Sequence, residues 1–560
     1  MQRLEEHPWL SVQLDGRYST PPPEERPLFS LLTESAKKHP KNVCLHYQGR
    51  NFTYAQVDEL SSRLASALLS LGLKRGDRVA VFLPNAPQVV IAYFGVLKAG
   101  GVLVMCNPVY KERELEFQIR DSGAEIVIAS TTVAKGLDLY KSLEGCRGRL
   151  SLRHVITTSL TDYLPPLKKR LAGLAGIKDM ARADTLDFVK LIQSNAPVAT
   201  YPAVDPVNDV ALLQYTGGTT GVAKGAMLTH YNLVSNAVYG VALFPVTEKD
   251  VSLSVLPLFH IYGMTVTMNM PIAVGASVVL LPSFHVEEVM KTIQKMKVTL
   301  FSGAPAMYIA INSKPNAGEF NLRSVRACMS GGSALPPAVR KKFMSLTGGN
   351  LVEGYGLSET SPVTHVNPLT KGVVKDGSIG PPFSGTDARI VDLDDSGKVL
   401  KMGEVGELSV KGPQVMKGYW NHEEETRAVL RDGWFLTGDI ARMDDEGYFY
   451  IVDRKKDMIN VGGFKVYPRE VEDVLFEHPD IKEAGVVGIP DEFSGEGVKA
   501  FVVLKDPSKK VTEQEVIDFC QKRLAKFKAP KKVEFVQDLP KTLIGKVLRR
   551  KLREFTPRQS

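Results

Sequence analysis

The strongest constraint on this chain is a series of short, unbroken apolar segments: VAVFL (79–83), VLVM (102–105) and EIVIAS (125–130). Each is too short for a helix, and none alternates apolar with polar as a strand with one wet face would. The stretches between them, 87–98 and 114–120, carry helical spacing. Parallel strands need crossover connections, so this order predicts a doubly wound α/β body with helices on both faces of its sheet.

The same reading extends along the chain. Thr53 and Gln56 frame a capping box for a helix with Val57, Leu60, Leu64, Leu68 and Leu71 at helical spacing. A polar, irregular stretch from 136 to 206 interrupts the alternation, and VALLQY (210–215) reopens it. SVVLLP (277–282), VTLFSGAP (298–305) and VRACMSGGS (325–333) continue the α/β pattern. Between 377 and 420 the spacing changes to short strands and glycine turns, GSIGPP, ARIVDL and GELSVKG, which predicts a small β unit. After YFYIV (448–452) the apolar run breaks into DRKKD (453–457). Beyond it, Pro468 opens a helix with Val471, Val474 and Leu475 inward, and Thr512 with Glu515 caps another that turns Val516, Phe519, Cys520 and Leu524 to the core. The expected fold is α/β: a large N-terminal body of doubly wound sub-lobes plus a small β unit over 1–452, a hinge at 453–457, and a small, mobile α+β C-terminal domain over 458–560.

At 560 residues, 44% hydrophobic and 24% charged, the chain has the make-up of a globular protein of several units, not of a disordered or fibrous one. Its five cysteines stand at least 40 residues apart, with no CxxC pair and no HExxH, so neither a disulfide framework nor a zinc site is indicated. A chain start without an apolar h-region and the lack of an apolar run of about 18 residues point to the cytoplasm. Charge is concentrated at one end. Residues 521–560 carry 13 Lys/Arg against Glu534, Asp538 and Glu554, which leaves the preceding 520 residues at −2 of a total of +8. No aromatic-interleaved basic stripe accompanies that tail, so nucleic acid is not a partner; nucleotide phosphates or peripheral contact with an anionic membrane fit it.

The most informative segment is YTGGTTGVAKG (215–225). Glycines let backbone amides approach a ligand closely, threonines add hydroxyl donors and Lys224 adds charge, a combination suited to phosphate oxygens. It is not a Walker A loop, because no glycine directly precedes Lys224 and Gly225 stands where Ser or Thr would bind magnesium.

This loop resembles the signature of the adenylate-forming enzymes: acyl- and aryl-CoA synthetases, nonribosomal adenylation domains and luciferases. Further blocks follow in the family's order: LPLFHIYG (256–263), MSGGSAL (329–335), EGYGLSET (353–360), GWFLTGD (433–439), DRKKDMINVGG (453–463) and PKTLIGKVLRR (540–550). Likeness is greatest to bacterial long-chain fatty acid–CoA ligases. One departure is Ala223, where the family usually has proline before the loop lysine.

The resemblance implies that ATP and a fatty acid give acyl-AMP, which coenzyme A then converts to a thioester. By the same resemblance, Thr216, Gly217, Gly218, Thr219, Thr220, Gly221 and Lys224 hold the β- and γ-phosphates. Gly332, Ser333 and Ala334 wall the adenine. In the motif opened by Glu353, Gly354, Tyr355 and Gly356, Tyr355 stacks on the base, Ser358 reaches the α-phosphate and Glu359 ligates Mg²⁺. Asp439 and Arg454 hold the ribose. Lys546 bridges the substrate carboxylate and the α-phosphate, and His260 gates the acyl carboxylate. Tyr262, Gly263, Gly303 and Ala304 line the acyl pocket, Gly462 and Gly463 border the pantetheine route, and Asp453 is the hinge.

Two other readings stay open on sequence alone. One is a ligase of the same fold for medium-chain or aryl acids, separable by a panel of acids. The other is a non-catalytic acyl carrier, against which the presence of Lys224, Glu359, Asp439, Arg454 and Lys546 argues. A homodimer is compatible with the sequence, which carries no signal for or against it.

Overall fold

Helices begin where the sequence supplies caps. The Thr53 hydroxyl accepts the Gln56 amide at 3.2 Å, the Gln56 side chain accepts the Thr53 amide at 2.9 Å, and helix Tyr54–Ser70 follows. Its buried Val57, Leu64 and Leu68 lie against helix Pro87–Lys98, which opens with proline and is buried throughout. The computed structural model describes residues 7–10, 21–134, 137–180, 182, 184–216, 223–369, 372–491, 494–541 and 547–554.

The three apolar runs become parallel neighbours in an eight-stranded sheet. Its order is Leu186–Asp187, His154–Thr158, Ile126–Ser130, Arg78–Phe82, Val102–Met105, Val210–Thr216, Lys224–Thr229 and Gly418–Tyr419, parallel up to Val210–Thr216 and antiparallel after it. A second, four-stranded sheet runs Val251–Ser254, Ser277–Leu280, Val43–Tyr47 and Arg50–Thr53. Single bridges at Leu300 join it to strands Ala327–Ser330, Asn350–Gly356 and Val363–Val366. One continuous apolar core links the two sheets through the helices between them.

The stretch read as irregular, 136–206, is more ordered than its polarity suggests. It contributes two strands, His154–Thr158 and Leu186–Asp187, to the edge of the main sheet. Thr157 and Thr158 are buried there, so the strand hides in polar letters. VTLFSGAP forms only isolated bridges at Leu300 and Gly303 instead of a strand. The small β unit also reaches further than 420: its antiparallel sheet joins Asp387–Val391, Gly406–Lys411, Trp434–Met443, Leu430–Arg431 and Phe449–Arg454.

The small domain folds around hairpin Ile481–Asp491 and Gly495–Leu504, with Ile459–Val461, Phe464–Val466 and Lys532–Phe535 completing its sheet. Helices Pro468–Phe476 and Glu513–Gln521 cover one face, packing Val471, Leu475, Val516 and Cys520. Helix Arg549–Glu554 covers the other, where Leu552 meets Val487, Phe501 and Leu539. All five cysteines are buried and unpaired in disulfides.

Candidate active site

Strands Val210–Thr216 and Lys224–Thr229 are a hairpin in which Thr216 faces Lys224 directly across the ladder. The predicted phosphate loop is thus entered from one strand of the main sheet and left by the next. Its Gly217, Gly218, Thr219, Thr220 and Gly221 lie outside the described residues. The Lys224 ammonium sits 5.4 Å from the centre of the Tyr419 ring and 3.4 Å from Glu425.

Tyr419 connects this hairpin to the next motif. It lies on strand Gly418–Tyr419, paired beside Ala226, and its hydroxyl donates to Glu359 Oε1 at 2.8 Å. Glu359 stands in the short 3₁₀ turn Ser358–Thr360, which packs against both hairpin strands. Burial raises its pKa, and the tyrosine hydrogen bond pulls it back. Gly356, just ahead of the turn, lets the chain double back on itself: a side chain there would run into the Pro362 carbonyl oxygen.

Strand Asn350–Gly356 places Glu353, Gly354 and Tyr355 in succession. The Tyr355 hydroxyl donates to Asp439 Oδ2 at 2.6 Å, while Arg454 Nε meets Asp439 Oδ1 at 2.9 Å. Asp439 and Arg454 face each other across the ladder of Trp434–Met443 and Phe449–Arg454. The Arg454 charge also acts on Glu359, so the two motifs share one electrostatic field. Glu353 points into the body, where its Oε2 accepts the Leu335 amide at 3.2 Å and thereby anchors the turn of Gly332, Ser333 and Ala334. Burial pushes its pKa up to about 7.

His260 lies beyond strand Val251–Ser254. Its Nδ1 accepts the Tyr262 amide at 3.2 Å, which leaves the proton on Nε2. Burial lowers its pKa to about 4, so the ring is neutral at physiological pH. Tyr262 is buried and its hydroxyl donates to the Met329 carbonyl at 2.7 Å, clamping the end of strand Ala327–Ser330. Gly263 begins a π-helical segment, Gly263–Asn269. Gly303 bridges Ser330, and Ala304 stands just ahead of helix Pro305–Asn312.

Residues 32–420 match the family model described as AMP-binding enzyme, and residues 470–546 match that family's C-terminal domain. The chain belongs to the AMP-binding enzyme family. Over 559 residues it is 45% identical to the long-chain-fatty-acid–CoA ligase of Bacillus subtilis (strain 168), covering 98% of each chain. It is 38% identical over 548 residues to the long-chain-fatty-acid–CoA ligase of Escherichia coli O157:H7, covering 95% of each. Among solved structures it resembles ATP-bound MatB from Rhodopseudomonas palustris, with a TM-score of 0.82 at 31% identity, covering 94% of this chain and 98% of that one.

In this AMP-binding enzyme the last strand of the β unit runs through Arg454, past the boundary drawn at 452. Successive strand residues face opposite ways. Arg454 turns to Asp439 in the large body, whereas Asp453 turns to the small domain, where Oδ2 accepts the Arg469 amide at 2.7 Å and Oδ1 meets Arg549 at 3.4 Å. Arg549 also binds Glu472 at 2.6 Å and Asp457 at 3.4 Å, and Arg553 adds a second cation to Asp457 at 3.0 Å. Gly462 and Gly463 form the two-residue turn between Ile459–Val461 and Phe464–Val466, with φ of 59° and 88°. Positive φ at both positions is what a tight hairpin turn of this kind requires, and glycine adopts it without strain. Lys546 lies outside the described residues. Sequence reading passed over Tyr419 and Arg549. Nothing in VMKGYW singles out the tyrosine, and Arg549 is one of many cations in a basic tail; only its place three residues after Lys546 in the P-K-T motif could have drawn attention to it.

Proposed function

We propose that this AMP-binding enzyme is an AMP-forming ligase that joins a long-chain fatty acid to coenzyme A in two steps. In the first, a carboxylate oxygen bonds to the α-phosphorus of ATP and the bond to the β-phosphate oxygen breaks, releasing pyrophosphate. In the second, the thiol sulfur bonds to the acyl carbon and AMP departs. The observation that carries this reading is one linked constellation: Lys224 beside Tyr419, Tyr419 on Glu359, and Arg454 acting on both Glu359 and Asp439, which Tyr355 also holds.

Bringing an anion to a polyanion requires positive charge placed in advance. Thr216, Gly217, Gly218, Thr219, Thr220, Gly221 and Lys224 would hold the β- and γ-phosphates, and Ser358 the α-phosphate. Tyr355, with Gly332, Ser333 and Ala334, would enclose the base, and Asp439 and Arg454 the ribose. Lys546 would neutralise the carboxylate and α-phosphate together. Neutral His260 would position the acyl carboxylate without taking a proton, beside Tyr262, Gly263, Gly303 and Ala304.

Glu359 suits a magnesium ion. Among the described residues no group of three metal-ligating side chains gathers into a cage. Mg²⁺ characteristically takes one or two carboxylates and completes its shell with phosphate oxygens and water. Glu359 offers a half-buried carboxylate whose side-chain hydrogen bond comes from a neutral tyrosine, and a magnesium ion held there would supply positive charge to phosphate oxygens.

For the second step, Asp453 would serve as the hinge about which the small domain turns, bringing Gly462 and Gly463 to the pantetheine. Fatty-acid-dependent exchange of label between pyrophosphate and ATP tests the reading. Exchange is expected with long-chain acids and lost in Lys546→Ala, which should still convert preformed acyl-AMP and coenzyme A to thioester. No exchange with any acid would overturn it.

A further inference from the structure

Helix Pro166–Leu174 is unlike every other long helix described here in having no buried residue. Leu167, Leu171 and Leu174 are 70%, 53% and 80% exposed. At about 100° per residue these three fall within a stripe roughly 60° wide. A helix laid on a globular body normally turns such a stripe inward. This one turns it to solvent.

Its charges are arranged around that stripe. Lys168 and Arg170 flank the leucines on either side, while Lys169 lies on the far side, 3.7 Å from Asp162. The helix carries no acid. Between 166 and 180 the cations Lys168, Lys169, Arg170 and Lys178 face one acid, Asp179, whose carboxylate is engaged by Ser159 and Thr161.

We propose that Leu167, Leu171 and Leu174 seat this helix at the headgroup–acyl boundary of a bilayer containing anionic phospholipid, with Lys168 and Arg170 reaching its phosphates. Charge complementarity selects this occupant. Leucines flanked by long cationic side chains match a surface that is apolar below and anionic above. A second copy of the chain would bring like charges together around the same leucines. The inference does not depend on the reaction proposed above.

The basic tail, the sequence's first candidate for membrane contact, is less available. Lys528, Lys531, Lys541, Arg549 and Arg553 pair with Glu470, Asp491, Glu483, Glu472 and Asp457.

Vesicle flotation tests the assignment, with phosphatidylcholine alone or mixed with phosphatidylglycerol. The full chain should float with the mixed vesicles. Leu167→Ser/Leu171→Ser/Leu174→Ser should reduce the bound fraction at least about tenfold, and Lys168→Glu/Arg170→Glu should do the same on the mixed vesicles. Because these side chains support no core, thermal unfolding should be unchanged. Leu171→Trp provides a second measurement: its indole fluorescence should shift to the blue on adding mixed vesicles and not on adding phosphatidylcholine. Unchanged flotation of the serine variant, or fluorescence of the Leu171→Trp variant that is blind to mixed vesicles, overturns the proposal. So does loss of self-association in the serine variant at full vesicle binding, which would make the stripe a contact between copies.

Discussion

Two acids near the candidate site, Glu353 and Glu359, and the acids gathered around Asp453 are neutralised differently. In the large body, Glu353 and Glu359 form no ion pair among the described residues: one takes a backbone amide, the other a tyrosine hydroxyl. Around Asp453, by contrast, three acids converge on Arg549 and a fourth contact brings Arg553. The first arrangement leaves Glu359 without a direct ion pair among the described residues, where a magnesium ion is proposed to bind. The second sets two arginines against three acids where chain geometry must be held.

The largest effect expected from breaking this contrast is at Arg549. Arg549→Ala leaves Asp453, Asp457 and Glu472 buried together, a loss of about 3–5 kcal/mol. Calorimetry should show a separate, earlier transition for the small domain with the large body unchanged. Arg549→Lys should restore only part of it, since a point charge cannot fork between three carboxylates. A drop confined to the large body would erase the distinction drawn here.

A smaller effect, and one of opposite sign, is expected at Glu353. Its folded pKa is raised to about 7, so its stabilising contribution is present below the unfolded carboxyl's pKa and is lost as pH rises towards 7. Glu353→Gln keeps an acceptor for the Leu335 amide and cannot ionise. The variant should gain on the parent between pH 4.5 and 7, by about 1–3 kcal/mol at neutral pH. Urea unfolding across that range measures it, and parallel curves would mean that the carboxyl is not buried as described.

The smallest is Tyr419→Phe, which removes one hydrogen bond to a carboxylate, about 1–2 kcal/mol. Because that bond lowers the Glu359 pKa, its loss should move the acid limb of kcat/KM to higher pH, with little change in thermal stability. An unmoved limb would separate Tyr419 from the titration of Glu359.

Much of this was legible in the residues. Unbroken apolar runs are a direct consequence of strands covered on both faces, and 79–83, 102–105 and 125–130 announced the main sheet. Thr53 and Gln56 announced a helix because capping is local chemistry. Strand His154–Thr158 was not legible, since the burial of Thr157 and Thr158 is decided by neighbours distant in sequence. The site divided the same way. Glu359, Asp439 and Arg454 stood in motifs, whereas Tyr419 and Arg549 acquire meaning only when the chain brings Tyr419 to Glu359 and Arg549 to Asp453.

Strand Phe449–Arg454 ends on two residues that grip opposite halves of the protein, Arg454 on Asp439 and Asp453 on Arg469 and Arg549. A pleated ribbon transmits torsion along its length, so rotation about this terminus is shared by both grips. On the proposed function, a nucleotide held by Asp439 would therefore bias the orientation of the trailing module, and that orientation would in turn adjust the nucleotide's fit, much as a rocker arm couples two valves through one pivot.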